Sequence, residues 1–185
     1  MQELSLNVLD IAQNSVVAKA TLIRIGVEED TASHRMVITI ADNGCGMTEE
    51  QVKRVMDPFF TTRTTRKVGL GVPFFKMSAE ATGGDFSIVS RPGEGTAGSA
   101  CYHTDHIDML PLGDMNATIL SLITMNPDLD FVYTRSLDGK SYVLDTRELK
   151  KVLEDVPLNA PDVVLYLKEA LEEGTAALYG TPDTN

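Results

Sequence analysis

The chain has 185 residues and a formal net charge of −11, and it holds no run of about 20 consecutive apolar residues, the length that a membrane-spanning helix needs. Residues 1–104 carry 12 acidic and 10 basic side chains, whereas residues 105–185 carry 15 acidic and 6 basic ones. An acidic surface repels nucleic-acid phosphates and anionic membranes, so we expect neither as a partner. The acidity of the second part suits a basic protein partner, and the alternative is that it serves only solubility. Two cysteines exclude a disulfide-rich secreted scaffold, and the first residues lack signal-peptide features, so we expect a cytoplasmic protein.

The first segment predicts a helix followed by a β-hairpin. Apolar residues recur at helical spacing from Leu4 to Lys19. Two β-branched runs then follow, at Thr21–Val27 and Met36–Ile40, and they predict strands. Between them, Glu28–Arg35 is polar and predicts a connecting loop.

The middle segment predicts two helices and a second hairpin. Thr48, with Gln51 three residues on, forms a capping-box pattern at the start of a helix that ends before Asp57. A second helix is predicted from Leu70 to Ala81. The elements expected after it are strands at Phe86–Ser90 and Thr96–Tyr102, joined by the turn Arg91–Gly95.

The second part of the chain predicts a small α+β unit over residues 105–175, followed by a flexible tail over 176–185. Its hairpin is centred on Asp138-Gly139, a strong turn signal. The other elements expected are a strand at His106–Leu110 and helices at Asp114–Met125, Thr146–Glu154 and Asp162–Glu173, the last one ended by Gly174.

Two polar residues share one face of the first helix. Asp10 and Asn14 are four residues apart, so their side chains are neighbours. A carboxylate can take up a proton or orient a water, and an amide oxygen can ligate magnesium without adding charge. The alternative is a solvated helix face.

Two glycine-rich segments lie next to predicted elements of structure. Asp42-Asn-Gly-Cys-Gly-Met47 comes after a strand, where a carboxylate can accept a hydrogen bond from an exocyclic amine and the glycines allow close approach. Gly69-Leu-Gly-Val72 comes directly before a helix, where backbone amides can cradle phosphate oxygens. A plain turn is the alternative in each case. Between these segments, residues 57–68 form a loop rich in Thr, Arg and Lys, typical of a lid or of an exposed basic loop.

The order of these four segments resembles the ATPase domain shared by DNA gyrase, Hsp90-type chaperones, histidine kinases and MutL-type mismatch repair proteins, the GHKL superfamily. The resemblance covers roughly residues 3–104. Asp10–Thr21 is similar to the N box and Asp42–Met47 to the G1 box. Asp57–Thr62 is similar to the F box of histidine kinases and Gly69–Val72 to the G2 box.

The resemblance implies a site for ATP and Mg²⁺. Asn14 would ligate the magnesium, Asp42 would accept the adenine amino group, and Asp10 would be the catalytic residue. The other residues implied in ATP binding are Gly44, Gly46, Met47, Phe60, Thr61, Thr62, Arg63, Lys67, Gly69, Leu70, Gly71, Val72 and Thr96. Arg66 is a further cation in the predicted lid.

Three departures from the family pattern bear on activity. Hydrolytic members have Glu at the position of Asp10, and Asp is one methylene shorter. The first glycine of the usual G2 pattern is Lys67 here. We expect a stand-alone form, without a helical dimerisation domain that carries a phosphoacceptor histidine, since only about nine residues come before the core of the N box.

We therefore expect an α/β sandwich with helices on one face of a mixed, mostly antiparallel sheet, over residues 1–104, and a small acidic α+β extension. Two function classes remain open. The first is an enzyme, either a slow ATPase or a kinase that phosphorylates a protein in trans. The second is a nucleotide-gated interaction module whose residues 105–185 contact a partner. The resemblance also allows that the partner is a redox enzyme. The sequence leaves the oligomeric state open.

Overall fold

The computed structural model describes residues 3–59 and 70–180, which form six helices and six strands. In chain order the elements are α1 (Leu4–Val17), β1 (Leu22–Asp30), β2 (Arg35–Asp42), α2 (Glu49–Val55), α3 (Gly71–Ala81), β3 (Asp85–Arg91), β4 (Gly95–His103), α4 (Met115–Met125), β5 (Asp130–Leu137), β6 (Lys140–Asp145), α5 (Thr146–Leu153) and α6 (Pro161–Tyr179).

The strands form one mixed sheet in the order β3-β4-β2-β1-β5-β6. Every neighbouring pair is antiparallel except β1 and β5, which run parallel from Leu22 opposite Asp130 to Glu29 opposite Leu137. Helices pack on this sheet, so the predicted α/β sandwich is confirmed.

The core lies between the sheet and the helices. Side chains alternate between the two faces of a strand, and in β1 the inward residues Ile23, Ile25 and Val27 are buried. Leu4, Val8 and Ala12 of α1 recur at helical spacing and pack into the same cluster. Burial of this apolar stripe is what fixes α1 against the sheet.

The first hairpin is longer than the sequence predicts. β1 and β2 stay paired from Ile23 opposite Asp42 to Asp30 opposite Arg35, so most of the expected loop Glu28–Arg35 belongs to the strands. Asp30 Oδ1 accepts the amide N–H groups of Ala32 and Ser33, which closes a tight turn. These polar residues predict a loop because they occupy one exposed end of an otherwise apolar pair of strands.

The expected strand at His106–Leu110 is wrong. These residues form successive local turns, in which the N–H of Met109 donates to the carbonyl of His106 at 3.1 Å. The chain then reaches the start of α1, where the carbonyls of Pro111 and Leu112 accept the N–H groups of Leu4 and Ser5 at 3.0 and 2.8 Å. Backbone from the second part therefore satisfies two amides that a helix N-terminus leaves free.

The second part of the chain continues the same sheet. The predicted boundary at residue 104 follows the end of β4, and β5 returns to pair beside β1. Asp138 and Gly139 both have positive φ, 50° and 85°, as the predicted two-residue hairpin turn requires.

The last helix does not end at Gly174, as the sequence predicts, but continues to Tyr179. A Cβ on Gly174 would lie 2.8 Å from the ring of Tyr142, so this glycine permits close packing of α6 on β6. At its end, the hydroxyl of Tyr179 accepts from Arg135 at 2.7 Å and donates to Glu29 at 3.2 Å. Residues 176–179 of the expected tail are thus part of a docked helix.

No helix in the described ranges 3–59 and 70–180 combines the length and apolar character needed to cross a membrane.

Candidate nucleotide-binding site

A cavity of about 380 Å³ opens between α1, α2, α3 and the edge of the sheet that carries β3 and β4. Its lining is mostly apolar, with polar groups supplied by α1 and by the glycine loop after β2. The residues that line it include Ile11, Asn14, Ser15, Ala18, Ile40, Asp42, Cys45, Gly46, Met47, Val72, Phe75, Phe86, Ile88 and Thr96. A mostly apolar cleft with a few convergent polar groups is typical of a small-molecule site.

Asp42 is held in one orientation at the end of β2. The hydroxyl of Ser15 donates to Oδ2 at 2.6 Å, and the N–H of Gly44 donates to Oδ1 at 2.8 Å. Two donors hold the carboxylate in one orientation, and each of its oxygens keeps acceptor capacity for a ligand in the cavity that Asp42 lines. Ser15 is buried and was not predicted from the sequence, although it directly follows Asn14.

The glycine loop is fastened to the turn between β3 and β4. The N–H of Gly93 donates to the carbonyl of Cys45 at 2.7 Å, and the N–H of Met47 donates to Ser90 Oγ at 2.8 Å. Gly46 has φ of 69°, and a Cβ there would overlap the carbonyl of Arg91, so only glycine allows this contact.

Thr96 is positioned by the same network. Its Oγ1 lies 2.7 Å from Ser90 Oγ, and Thr96 pairs with Asp42 across the β2–β4 ladder. The structure thus brings the predicted residues Asp42, Gly46 and Thr96 to one wall of the cavity. Ser90 is a second residue that sequence reasoning missed.

Of the predicted pair on α1, Asn14 lines the cavity and Asp10 does not. Asn14 lines the cavity, and its side-chain amide has no hydrogen-bond partner among the described residues. Asp10 is exposed and stands outside the cavity lining, next to the start of α3, where a Cβ on Gly71 would lie 3.3 Å from that of Asp10. Partial desolvation raises the pKa of the Asp10 carboxyl above its ordinary value.

The start of α3 faces this part of α1. Leu70 precedes the helix and is exposed, Gly71 is its first residue, and Val72 lines the cavity. Asn7 is buried, and its Nδ2 donates to the carbonyl of Gly71 at 2.8 Å. This hydrogen bond ties the two helices together, and the sequence alone gave no indication of it.

Part of the predicted site lies outside the described residues. These positions are Phe60, Thr61, Thr62, Arg63, Arg66, Lys67 and Gly69. The lid and the first glycine of the Gly69–Val72 segment therefore stay predictions.

The chain belongs to the family described as histidine kinase-, DNA gyrase B- and HSP90-like ATPases, whose model matches residues 1–103. This match confirms the predicted superfamily. It makes the matched segment an ATP-binding domain of the histidine kinase type, and the family normally binds ATP together with Mg²⁺.

Curated relatives include bacterial sensor kinases. The chain is 35% identical over 95 residues to the signal transduction histidine-protein kinase AtoS of Escherichia coli, an alignment that covers 51% of this chain and 15% of AtoS. It is also 35% identical over 89 residues to the sensor protein kinase FleS of Pseudomonas aeruginosa, covering 48% of this chain and 22% of FleS. The similarity therefore spans about half of this chain and less than a quarter of these relatives.

A solved structure extends the fold similarity along nearly the whole chain. The N-terminal domain of a DNA repair protein superposes with a TM-score of 0.52 and 13% identity, covering 98% of this chain and 58% of that one. At this identity the likeness concerns the fold alone.

Proposed function

We propose that the chain binds Mg-ATP in the cavity beside α1, with the adenine amino group on the carboxylate of Asp42. The observation that carries this proposal is the fixed carboxylate itself, held by Ser15 and by the amide of Gly44 at the end of an otherwise apolar cleft. An acceptor that is already oriented distinguishes an exocyclic amine from a carbonyl at the same place. Thr96 lies on the same wall, directly across the β2–β4 ladder from Asp42, and would contact the base beside it.

The phosphates would extend from the base toward α3. The N-terminus of a helix favours anions because its first amides are unpaired and the helix dipole is positive there. Gly71 and Val72 would present these amides, together with Gly69 and the cations Arg63 and Lys67 of the predicted lid. Asn14 suits the magnesium, since its amide oxygen has no partner among the described residues and Mg²⁺ prefers oxygen ligands. The metal would supply charge neutralisation at the phosphates.

The chemistry we propose is transfer of the γ-phosphoryl group, to water in slow hydrolysis or to a protein partner in trans. Asp10 would be the general base. It lies one helical turn before Asn14, and its raised pKa brings it closer to neutral pH, where a base works best. A basic partner would approach the acidic second part of the chain, which holds 15 acidic and 6 basic side chains.

One observation favours the alternative, a non-catalytic module that binds a partner under the control of ATP. Asp10 is exposed and outside the cavity lining, and its side chain is one methylene shorter than the Glu of hydrolytic members. Water activation would then need a group that the partner brings, or would not occur.

Substitution of Asp10 separates the two functions. If Asp10 is the base, Asp10→Asn should leave ATP affinity within a few-fold and lower the turnover with its partner, or the slow basal turnover, by about 10²- to 10⁴-fold. Glu80→Gln is the matched control, because Glu80 is an exposed carboxylate near the far end of α3. Single-turnover hydrolysis of radiolabelled ATP measures the rate.

Two outcomes would count against the enzyme. Basal hydrolysis at background that no protein fraction stimulates would favour the interaction module. Brisk Mg-dependent hydrolysis that Asp10→Asn leaves unchanged would refute the role of Asp10 while leaving ATP binding intact.

A further inference from the structure

The sheet side of the cavity contains a glycine in the middle of a strand. Gly98 lies in β4, which is paired with β2 on one side and with β3 on the other. It lines the cavity together with Ile40, Ile88 and Thr96. Glycine weakens the interior of a strand, because it adds no side chain to the packing and loses the most conformational freedom on folding.

Neither the backbone nor the packing around Gly98 requires a glycine. Its φ angle lies outside the left-handed region, and the one-to-one pairing continues through it on both sides, so it does not form a bulge. A Cβ on Gly98 would have the ring of Phe86, at 3.9 Å, as its nearest neighbour among the described residues, which is ordinary van der Waals contact. By contrast, a Cβ on Gly46 would overlap the carbonyl of Arg91. Close approach of a ligand is the usual role of a strand glycine that remains.

The missing side chain leaves a slot between two isoleucines. Ile40 and Ile88 are the ladder partners of Gly98, so they lie on the same face of the sheet, one on each side of it. Neighbouring strands are about 4.8 Å apart, so the Cα atoms of the two isoleucines lie about 10 Å apart with only the glycine between them. The slot is therefore apolar on both sides and open toward the cavity.

The slot lies between Asp42 and the helix α3. Asp42 is two residues beyond Ile40 on β2, a step of about 6.8 Å along the same face of the strand. At the opposite end of the slot, the ring of Phe86 meets the ring of Phe75 of α3 edge to face, with the centroids 5.9 Å apart. A ligand that reaches from Asp42 to the start of α3 therefore passes over Gly98.

We infer that Gly98 is a specificity-determining residue that selects a two-ring purine base over a one-ring pyrimidine, an inference that rests on the proposed binding of ATP at Asp42. The carboxylate of Asp42 accepts from an exocyclic amine. Adenine and cytosine both carry such an amine, so Asp42 alone does not separate them. The size of the base has to be read elsewhere in the cavity.

The slot over Gly98 supplies this reading. A purine whose amine is held by Asp42 extends over Gly98 and fills the space between Ile40 and Ile88. A pyrimidine held in the same way leaves part of the slot empty and loses contacts with its apolar walls. Asp42 thus separates an amine from a carbonyl, Gly98 separates two rings from one, and adenine satisfies both conditions.

Titration calorimetry of the full chain with Mg-ATP and Mg-CTP tests the inference. We expect the wild type to favour ATP roughly tenfold or more, since an apolar pocket discriminates by that much for even a small difference in ligand size. Gly98→Val fills the slot and should weaken ATP far more than CTP, which brings the preference below about threefold. Ala97→Val is the matched control, because Ala97 is exposed on the opposite face of the same strand, and this variant should keep the wild-type preference.

Gly98→Ala separates lost space from a folding defect. A methyl group has room beside Phe86, so the unfolding temperature of this variant should be no lower than that of the wild type, while its preference for ATP should still fall. A wild type without preference for ATP over CTP, or equal losses of both nucleotides in the two Gly98 variants, would overturn the inference. Either result leaves the proposed function standing if Asp42→Asn weakens ATP. A wild type that binds no ATP would refute the proposed function and this inference with it.

Discussion

Replacement of Asp42 by asparagine is the most direct test of the nucleotide site. The carboxylate accepts from Ser15 and from the amide of Gly44, at 2.6 and 2.8 Å. In Asp42→Asn the oxygen can stay on Gly44, and the new amino group can donate to Ser15, whose hydroxyl rotates to accept. The fold should survive, but the ligand would meet a neutral group with fewer free lone pairs.

The expected loss follows from the strength of a hydrogen bond to a charged acceptor. Such a bond contributes about 1.5–3 kcal/mol, which corresponds to a loss of roughly 10- to 150-fold in ATP affinity. GTP should bind poorly to the wild type, because guanine presents a carbonyl where adenine presents an amine.

Titration calorimetry with ATP and GTP measures both effects. Glu94→Gln provides the control, since it removes one exposed carboxylate from the β3–β4 turn near the site without touching Asp42. Equal affinity of the wild type for ATP and GTP would refute the reasoning, and so would an Asp42→Asn affinity within twofold of the wild type.

Three further results are expected. Asn14→Ala should weaken Mg-ATP and leave adenosine unchanged in calorimetry, because Asn14 would touch the metal and not the base; an equal loss for adenosine would indicate a folding defect. Cys45 is exposed and lines the cavity, so maleimide labelling of its thiol should slow when ATP is bound, and unaltered labelling would contradict the site. Burial raises the pKa of Tyr102 and of Tyr133 to about 12, above the ordinary value near 10. The folded state holds these protons more tightly, so the free energy of unfolding should fall as pH rises from about 10 to about 12, by up to about 3 kcal/mol per tyrosine. Urea unfolding should show a smaller fall in Tyr102→Phe than in the wild type, and equal falls would contradict the assignment.

Local signals in the sequence predicted the elements of structure well. The capping box at Thr48 forms with both of its hydrogen bonds, and the Asp138-Gly139 turn closes the expected hairpin. Both depend on residues within a few positions of one another. The end of α6 was predicted wrongly because Gly174 serves the packing of Tyr142, a partner 32 positions away that no local pattern contains.

The sequence likewise did not predict the parallel pairing of β1 with β5. Strand pairing at this separation is decided by which buried faces fit together, and the two strands are more than 100 residues apart in the chain. The hydrophobic pattern predicted that β5 exists but not where it lies.

The same distinction between local and distant signals separates the site residues that were predicted from those that were missed. The family resemblance implied Asp42, Gly46 and Thr96, and the structure brings them to one wall of the cavity, while their roles in ATP binding stay predictions. Ser15 and Asn7 were missed because their roles depend on partners 27 and 64 positions away. A buried serine or asparagine in an amphipathic helix has no distinguishing mark in the sequence.

Both of these distant contacts are made by the helix α1. Asn7 holds the start of α3, and Ser15 holds Asp42, so one helix sets the spacing between the proposed phosphate end and base end of the site. Its own N-terminus is held by the carbonyls of Pro111 and Leu112, and the carbonyl of Ser5 accepts from Thr118 of α4 at 3.2 Å. Because α1 cannot tilt without breaking contacts on both sides, the acidic second part of the chain is mechanically joined to the cavity. The second part of the chain and both ends of the proposed site are therefore coupled through the position of one helix.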